Sequence, residues 1–229
     1  MNMYNDGTYL KNNPQWHAED APWKAKWVEH ILQKSKIDFD TICEVGCGTG
    51  EVLYQLSRRI GANKRYIGYE ISAAAMELSR KVENRAIELN LGDAFTSGVK
   101  YDIAMALDIV EHVENPFEFL RKLKGLGTYK VLHIPLDMSV QMVLRMRPIM
   151  RVRRQVGHLH YFSKETALET LSDSGLRILD YNYTGSMLEL PGKSVSTKIM
   201  NIPRRMLYPI HNDAAVRILG GYSLMILCE

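Results

Sequence analysis

The sequence predicts an α/β fold in which a mostly parallel β-sheet is covered by helices on both faces. Two observations support this prediction. Strand-like apolar runs alternate with helical segments along most of the chain, which is typical of β-α-β units. The first of these runs leads directly into a turn with glycines at alternate positions, Gly46, Gly48 and Gly50. With 229 residues, 46% of them hydrophobic, the chain has the size and composition of a single domain over residues 1–229.

The first predicted helix covers residues 20–34. Asp20 is a suitable N-cap, Pro22 fits the first turn, and the apolar residues that follow lie on one face. Together with the residues before it, this helix forms a predicted N-terminal lid and helix over residues 1–36. The aromatic residues of that lid are Tyr4, Tyr9, Trp16 and His17. They either fold over a bound ligand or cover the edge of the sheet.

The remaining elements follow as alternating strands and helices. Helices are predicted to begin near Gly50, Ala73 and Asn115, and another covers residues 163–174. Two irregular insertions, residues 137–157 and 185–221, are expected to form helical caps that carry substrate-specific structure. The predicted strands are residues 41–45, 66–69, 86–90, 102–107, 129–134, 176–183 and 222–228.

Composition argues against several functional classes. A net charge of +3, from 29 basic and 26 acidic residues, is too mild to indicate nucleic-acid binding. Cys43, Cys47 and Cys228 form no C-x-x-C pair, so neither a disulfide framework nor a zinc site is indicated. The chain begins with polar residues, and no apolar run approaches the ~20 residues of a membrane-spanning helix. We therefore expect a cytoplasmic protein, and the sequence leaves its oligomeric state open.

The residues that end the predicted strands suit the ribose and adenine of a nucleoside ligand. The glycine turn has the spacing G-x-G-x-G, with Glu51 where a dinucleotide fingerprint has its third glycine. Glu44 precedes the turn, where its carboxylate would repel a pyrophosphate. Glu70 ends the second strand and suits ribose hydroxyls. Asp93, followed by the backbone N–H of Ala94, suits an adenine ring.

With these residues the chain resembles the class I S-adenosylmethionine-dependent methyltransferases, in particular the ubiquinone-pathway O-methyltransferases. The resemblance covers about residues 40–183. It is carried by four motifs: Glu44 to Gly50, Ile67 to Ser72, Gly92 to Ala94, and Asp108 to Val113. It implies a Rossmann-like seven-stranded sheet whose last strand is antiparallel.

The resemblance also implies a cofactor site for S-adenosylmethionine. In it Glu44 lies near the methionyl amino group, the three glycines wrap the methionine and the sugar, and Leu107 lies by the methyl group. The predicted cofactor-binding residues are Glu44, Gly46, Cys47, Gly48, Gly50, Glu70, Ile71, Asp93, Ala94, Leu107 and Asp108.

Methyl transfer to a hydroxyl group benefits from a general base. The candidates are His112, His158 and His160, because histidine titrates near neutral pH. The alternative for each is a packing or hydrogen-bonding role in a loop. A metal site from His158, His160 and Asp108 suits the residue types, but alternate histidines in a loop are a weak signal, and we predict no metal.

The first insertion has an unusual composition. Its methionines recur every four residues and its second half is rich in arginine, while Pro148 is expected to break the helix near Arg147. One interpretation is a lid helix that packs its methionines on the core. The other is an adaptable wall for an apolar acceptor, with arginines that bind a phosphate or carboxylate or rest on an anionic membrane. The predicted acceptor-binding residues are Met142, Arg145, His158 and Tyr161.

The sequence therefore predicts S-adenosylmethionine-dependent methyl transfer to a small-molecule or lipid-like acceptor, at oxygen. Three alternatives stay open at this stage. They are a catalytically inactive S-adenosylmethionine-binding partner protein, an RNA methyltransferase that uses its arginines to bind RNA, and an NAD-dependent oxidoreductase.

Overall fold

A computed structural model of the protein describes residues 8–79, 86–190 and 195–229. Tyr4, one of the predicted lid residues, lies outside these ranges. Within them, seven strands form one sheet in the order β3-β2-β1-β4-β5-β7-β6. The strands are β1 (Thr41–Val45), β2 (Arg65–Glu70), β3 (Ile87–Leu91), β4 (Tyr101–Leu107), β5 (Gly127–Pro135), β6 (Ile178–Thr184) and β7 (Ser223–Cys228).

Strand β7 runs antiparallel to both of its neighbours, β5 and β6, while the β3-β2-β1-β4-β5 pairs are all parallel. The predicted mostly parallel sheet with an antiparallel last strand is confirmed. Strand β1 lies between β2 and β4, so the connections that leave β1 and β4 diverge and open a crevice at their carboxyl ends. This crevice positions the site described below.

Helices cover both faces of the sheet. The described helices are α1 (Thr8–Asn12), α2 (Ala21–Lys34), α3 (Glu51–Ile60), α4 (Ala73–Ser79), α5 (Pro116–Leu126), α6 (Val140–Arg145), α7 (Arg147–Gln155), α8 (Lys164–Asp173), α9 (Ser186–Glu189), α10 (Val195–Leu207) and α11 (Asn212–Leu219). Asp20 precedes α2 as predicted but makes no side-chain capping bond, so this part of the prediction is wrong. No described helix has the length and apolar content needed to span a membrane.

Two apolar clusters pack on opposite faces of the sheet. On one face α2 and α3 contribute Val28, Ile31 and Leu53, and on the other α5 and α8 contribute Leu120 and Leu171. Neighbouring β1 residues point into different clusters, which is why this strand is apolar without a break and not alternating.

The two predicted cap insertions form one unit. Gln141 Nε2, in α6, donates a hydrogen bond to the carbonyl of Leu219 at 3.1 Å. Arg204, buried in α10, donates from Nε to the carbonyl of Gly220 at 2.8 Å and from Nη2 to that of Leu219 at 3.0 Å. The buried guanidinium joins α10 to the end of α11 within the second cap, and the bond from Gln141 to Leu219 links the first cap to the same place.

Candidate functional site

One continuous cavity of about 1230 Å³ lies at the carboxyl ends of the central strands. The glycine turn and the ends of β1, β2 and β4 line one half of it. The caps line the other half, and the N-terminal segment contributes Tyr9, Trp16 and His17. This volume exceeds the several hundred Å³ of a single small-ligand pocket, so it is large enough for a cofactor and an acceptor side by side.

The glycine turn needs the absence of side chains at two positions. Gly46 and Gly48 have positive φ angles of 69° and 57°. A Cβ on Gly46 would lie 2.5 Å from Ile109 Cδ1, and one on Gly48 would lie 2.8 Å from Trp16 Cδ1. Both glycines line the cavity, whereas Gly50 does not line it and caps α3 instead. The turn thus brings bare backbone up to a ligand.

Glu70 holds the glycine turn against the end of β2. Its Oε2 accepts a hydrogen bond from the backbone N–H of Gly48 at 2.9 Å, and its Oε1 accepts one from Ser72 at 2.8 Å. Burial raises the pKa of Glu70, although these two backbone donors oppose the rise. The carboxylate keeps free lone pairs on the cavity side, so it shapes the turn and still offers acceptors to a ligand.

Glu44 is the least satisfied acid of the cofactor half. It is buried, and its Oε2 has no hydrogen-bond partner among the residues that the structure describes. Burial raises the pKa of Glu44 to about 8, against the opposing positive charge of Lys24. A carboxylate buried in this way is stable in its charged form only when a cation is bound beside it.

The residues of the predicted adenine motif line the cavity. Asp93 Oδ1 accepts a hydrogen bond from the backbone N–H of Phe95 at 2.9 Å, which caps the short 3₁₀ turn Ala94–Thr96. Ala94 is buried, and Asp93, Ala94 and the largely exposed Ile71 all line the cavity. Cys47 and Leu107 are buried cavity residues as well.

Asp108 is committed to the protein on both oxygens. Lys24 Nζ lies 2.7 Å from its Oδ2, and His133 Nδ1 lies 2.6 Å from its Oδ1. Burial alone would raise the pKa of Asp108, but His133 and Lys24 lower it well below its usual value. His133 in turn contacts Thr184 Oγ1 through Nε2 at 2.9 Å. If Asp108 contacts the cofactor as predicted, it does so while it also contacts Lys24 and His133.

Lys24 and His133 were not identified from the sequence. Lys24 lies on α2, twenty residues before the first motif begins at Glu44, and His133 lies inside an apolar strand. The only available signal was a lysine and a histidine in otherwise apolar surroundings. The sequence does not show which residue each of them contacts in the folded chain.

A second cluster is formed by the segments that follow β4, β5 and α7, and it contains two of the three candidate bases. Asp137 Oδ2 accepts a hydrogen bond from His158 Nδ1 at 2.6 Å, and the rings of His158 and His112 meet edge to face with centroids 4.8 Å apart. Burial lowers the pKa of His112 to about 4. Glu111, fully buried beside them, has a pKa well above its usual value because of its burial.

His160 and Tyr161 do not reach the cavity. His160 Nε2 lies 2.9 Å from the carbonyl of Val113, and the hydroxyl of Tyr161 donates to the carbonyl of His158 at 3.2 Å. The residues that line the cavity include His112 and His158 but neither of these two. The structure thus contradicts the predicted base role of His160 and acceptor contact of Tyr161, because both side chains support the loop that carries His158.

The acceptor half is lined by the caps. Pro148 breaks the first insertion as predicted, since α6 ends at Arg145 and α7 begins at Arg147. Met142 and Arg145 line the cavity as predicted, together with Arg147 and Arg151. Met146 is 54% exposed, and Met138 and Met150 are exposed too. The interpretation of the four methionines as a stripe packed on the core is therefore wrong, because the break turns them in different directions.

Comparison with known proteins agrees with this geometry. A sequence model of a family described as a methyltransferase domain matches residues 16–181, which is more than half of the chain. The chain belongs to this methyltransferase family. Its resemblance to S-adenosylmethionine-dependent methyltransferases is thereby confirmed, while the ubiquinone-pathway type stays a prediction.

The methyltransferase is also similar to a curated protein over a short segment. An indolepyruvate C-methyltransferase from Streptomyces griseus is 41% identical over 59 residues, which are 23% of this chain. These residues are 17% of that protein, so the chain matches only a small part of its curated relative.

Solved structures share the fold at low identity. Magnesium protoporphyrin IX methyltransferase from Synechocystis PCC 6803, with bound SAH, is 14% identical with a TM-score of 0.59, covering 95% of this chain and 85% of that one. A Haloferax volcanii methyltransferase, in complex with an activator protein, is 13% identical with a TM-score of 0.66, covering 98% and 96%. Coclaurine N-methyltransferase, bound to N-methylheliamine and SAH, is 14% identical with a TM-score of 0.59, covering 89% and 71%. These likenesses establish the architecture, and their different acceptors leave that of the methyltransferase open.

Proposed function

We propose that this protein transfers the methyl group of S-adenosylmethionine to an oxygen of a small-molecule or lipid-like acceptor that carries an anionic group. The observation that carries this proposal is the division of the cavity. Its half at the glycine turn is lined by acids, and its half under the caps is lined by arginines. A cationic cofactor and an anionic acceptor suit these two halves.

The acidic half fits S-adenosylmethionine. Glu44, with one buried oxygen that lacks a described partner, would hold the methionyl ammonium. Glu70 would accept the ribose hydroxyls, and Asp93 with the Ala94 N–H would hold the adenine. When bound, S-adenosylmethionine supplies a methyl group activated by a sulfonium. The task of the protein is then to align the acceptor and to exclude water.

The other half supports an anionic acceptor. The side chains of Arg145, Arg147 and Arg151 line it, and none of the ion pairs between described residues involves them. Arginine binds carboxylates and phosphates with two parallel hydrogen bonds, which orients as well as attracts the ligand. Met142 adds an adaptable apolar wall.

His158 supports attack by an oxygen. Its Nδ1 donates to Asp137, because an ionised carboxylate can only accept, and this leaves the lone pair of Nε2 available to take a proton. A hydroxyl acceptor needs such a group, since it is a weak nucleophile while it keeps its proton.

The test is release of S-adenosylhomocysteine with paired acceptors. Hydroxylated aromatic and aliphatic compounds would be assayed with and without a carboxylate or phosphate group. We expect turnover with the anionic members, and a rise in KM of at least about 10-fold in Arg151→Gln, corresponding to the loss of about 1.4 kcal/mol of binding. Arg154→Gln is the matched control, because Arg154 lies on the same helix but does not line the cavity.

The same assay separates the alternatives. Binding of S-adenosylmethionine without turnover on any acceptor would favour a catalytically inactive partner protein. Turnover on RNA fragments, with an affinity that falls steeply with salt, would favour an RNA methyltransferase. Equal turnover on acceptors with and without an anionic group would contradict the proposed role of the arginines.

A further inference from the structure

We infer that Glu111, His112 and His158 form a binding site for a divalent transition-metal cation, at which the oxygen of the acceptor is held. This inference deepens the proposed function and rests on it for its purpose. Its test does not, because cation binding is measured without an acceptor. The sequence considered a different set, His158 with His160 and Asp108, and the structure separates that set.

The fold brings these three side chains together from two distant segments. Glu111 and His112 follow β4, and His158 follows α7. The carbonyl of Glu111 accepts hydrogen bonds from the backbone N–H groups of Leu159 at 2.7 Å and His160 at 3.1 Å. These bonds fix the loop of His158 against Glu111. As a result, one ligand atom from each of the three side chains lies within 4.8 Å of the others.

Glu111 is the observation that points to a ligand. The residue is fully buried, and neither of its carboxylate oxygens has a hydrogen-bond partner in the part of the chain that is described. The nearest basic atom is His112 Nε2, 3.8 Å from Oε1. Buried acids are ordinarily paired, hydrogen-bonded or bound to metal, because an unpaired one is costly. A cation between Glu111 and the two histidines supplies what this carboxylate lacks.

His158 is oriented as a metal ligand. Its Nδ1 is held by Asp137 Oδ2 at 2.6 Å, which directs the lone pair of Nε2 to the other side of the ring. A carboxylate that holds the outer nitrogen of a ligating histidine fixes its tautomer and orientation and raises its basicity. Asp137 is thus a positioning residue, and Glu111, His112 and His158 are the ligands.

The donor set indicates the class of cation. Two imidazoles and one carboxylate suit Zn²⁺, Co²⁺, Mn²⁺ or Fe²⁺, whereas Mg²⁺ and Ca²⁺ prefer oxygen donors alone. Three protein ligands leave coordination positions for an outside oxygen, and all three line the cavity that the acceptor would enter. The proposed site therefore differs from a structural metal site, in which protein ligands fill every coordination position.

Methyl transfer at this site requires no reactant besides the acceptor and S-adenosylmethionine. An acceptor hydroxyl bound at the site loses its proton to solvent more readily than a free one. Its oxygen then forms a bond to the methyl carbon, the bond from carbon to sulfur breaks, and the electron pair of that bond stays on sulfur. When the cation is bound, the proton of the acceptor hydroxyl is therefore released to solvent and is not taken up by His158.

The test is a titration of the full chain, free of any polyhistidine tag and treated with a chelator, with Co²⁺. We expect visible absorption bands of a Co²⁺ site with nitrogen and oxygen ligands at one equivalent, and displacement of these bands by Zn²⁺. Glu111→Gln and His158→Ala should weaken binding by at least about 10-fold, and Asp137→Asn by about 10- to 100-fold. His30→Ala is the control, because His30 is an exposed histidine on α2 and does not line the cavity.

Three outcomes would overturn the inference. One is no binding at stoichiometric Co²⁺, and another is binding that Glu111→Gln and His158→Ala leave unchanged although both variants unfold cooperatively. The third is methyl transfer that persists fully in chelator and is lost in His158→Ala, which would make His158 a general base and leave the proposed function standing. Failure of the proposed function has a separate signature, since no hydroxylated acceptor would then be methylated although the cation still binds.

Discussion

At the scale of single residues, the site depends on buried acids whose charge is not balanced inside the protein. Glu44 and Glu111 each have carboxylate oxygens without a described hydrogen-bond partner, and burial raises the pKa of both. Each oxygen of Glu70 and Asp108, in contrast, has a partner in the protein: backbone N–H groups for Glu70, and Lys24 and His133 for Asp108. The unbalanced acids are therefore the ones that a cationic ligand would stabilise.

The first prediction concerns Glu44. Glu44→Gln keeps the size of the side chain but removes the negative charge that would bind the methionyl ammonium. We expect S-adenosylmethionine affinity to fall at least about 30-fold, corresponding to about 2 kcal/mol for one partner of a buried charge pair. Isothermal titration calorimetry measures this, with Glu88→Gln as control, because Glu88 is exposed on β3 and does not line the cavity.

The pKa of Glu44 also predicts a dependence of stability on pH. In the protein without cofactor this pKa is raised to about 8, so between about pH 4.5 and 8 the folded state holds a proton that the unfolded state has lost. Glu44 therefore lowers the free energy of unfolding as pH rises through this window, by up to about 1.4 kcal/mol per pH unit. Urea titrations at several pH values should show a smaller decline in Glu44→Gln, and identical slopes would contradict the assignment.

At the scale of secondary-structure elements, helix α2 contributes to the site as well as to the core. Its apolar face packs on α3 and the sheet, and its buried Lys24 reaches Asp108 across the cavity. Burial would lower the pKa of Lys24, but the charge of Asp108 raises it. The helix is thus fixed to the end of β4 by a partly buried ion pair.

The second prediction tests this ion pair. Lys24→Met leaves the partly exposed Asp108 with His133 as its remaining partner, so we expect a loss of about 2 kcal/mol in the free energy of unfolding, between the values for surface and buried pairs. Urea denaturation followed by circular dichroism measures the loss. Lys26→Met on the same helix, where the lysine is exposed, should change stability by less than about 0.5 kcal/mol. Equal effects in the two variants would show that the ion pair does not hold α2 in place.

The third prediction concerns the cap helices α6 and α10. We propose that they rest on an anionic membrane surface, because Leu144 is 81% exposed and Met206 68% exposed among several arginines of the two caps. Sedimentation with vesicles should show binding to phosphatidylglycerol and not to phosphatidylcholine, weakened by salt. The double variant Leu144→Ser, Met206→Ser should bind several-fold less. Val99→Ser, an exposed apolar residue outside the caps, is the control, and equal loss in both variants would contradict the contact.

At the scale of the whole molecule, the sheet, the N-terminal segment and the caps enclose one cavity for two ligands. Asn12 and Asn13 both direct their Nδ2 groups to the carbonyl of Gln155, at 3.3 and 3.4 Å, so the N-terminal segment contacts the cap above the acceptor half. Trp16 of the same segment packs against Gly48. The cofactor and acceptor halves thus share a cover, although distant parts of the chain supply it.

The fourth prediction follows from this arrangement. S-adenosylmethionine at about 100 times its Kd should stabilise the fold by about 2.7 kcal/mol, whereas NAD should leave it unchanged. A thermal-shift comparison of the two cofactors measures this. Gly46→Val should abolish the shift, because its side chain would meet Ile109 at a positive φ. Stabilisation by NAD alone would instead favour the oxidoreductase alternative.

The sequence by itself determined which segments form strands, the glycine turn and the acids that end the strands. These features are local, since the alternation of apolar runs, the φ preference of glycine and the position after a strand can all be read along the chain. The seven predicted strands agree with the observed ones to within a few residues, and the predicted break at Pro148 is present.

Only the tertiary structure decided which polar residues meet. The pairing of Lys24 and His133 with Asp108, the grouping of Glu111 with His112 and His158, and the exclusion of His160 and Tyr161 depend on contacts between distant segments. Sequence patterns indicate which face a side chain occupies but not which distant group it contacts. The same histidine pattern along the chain is compatible with a base, a ligand or a loop contact, and the fold decides among them by burial and distance.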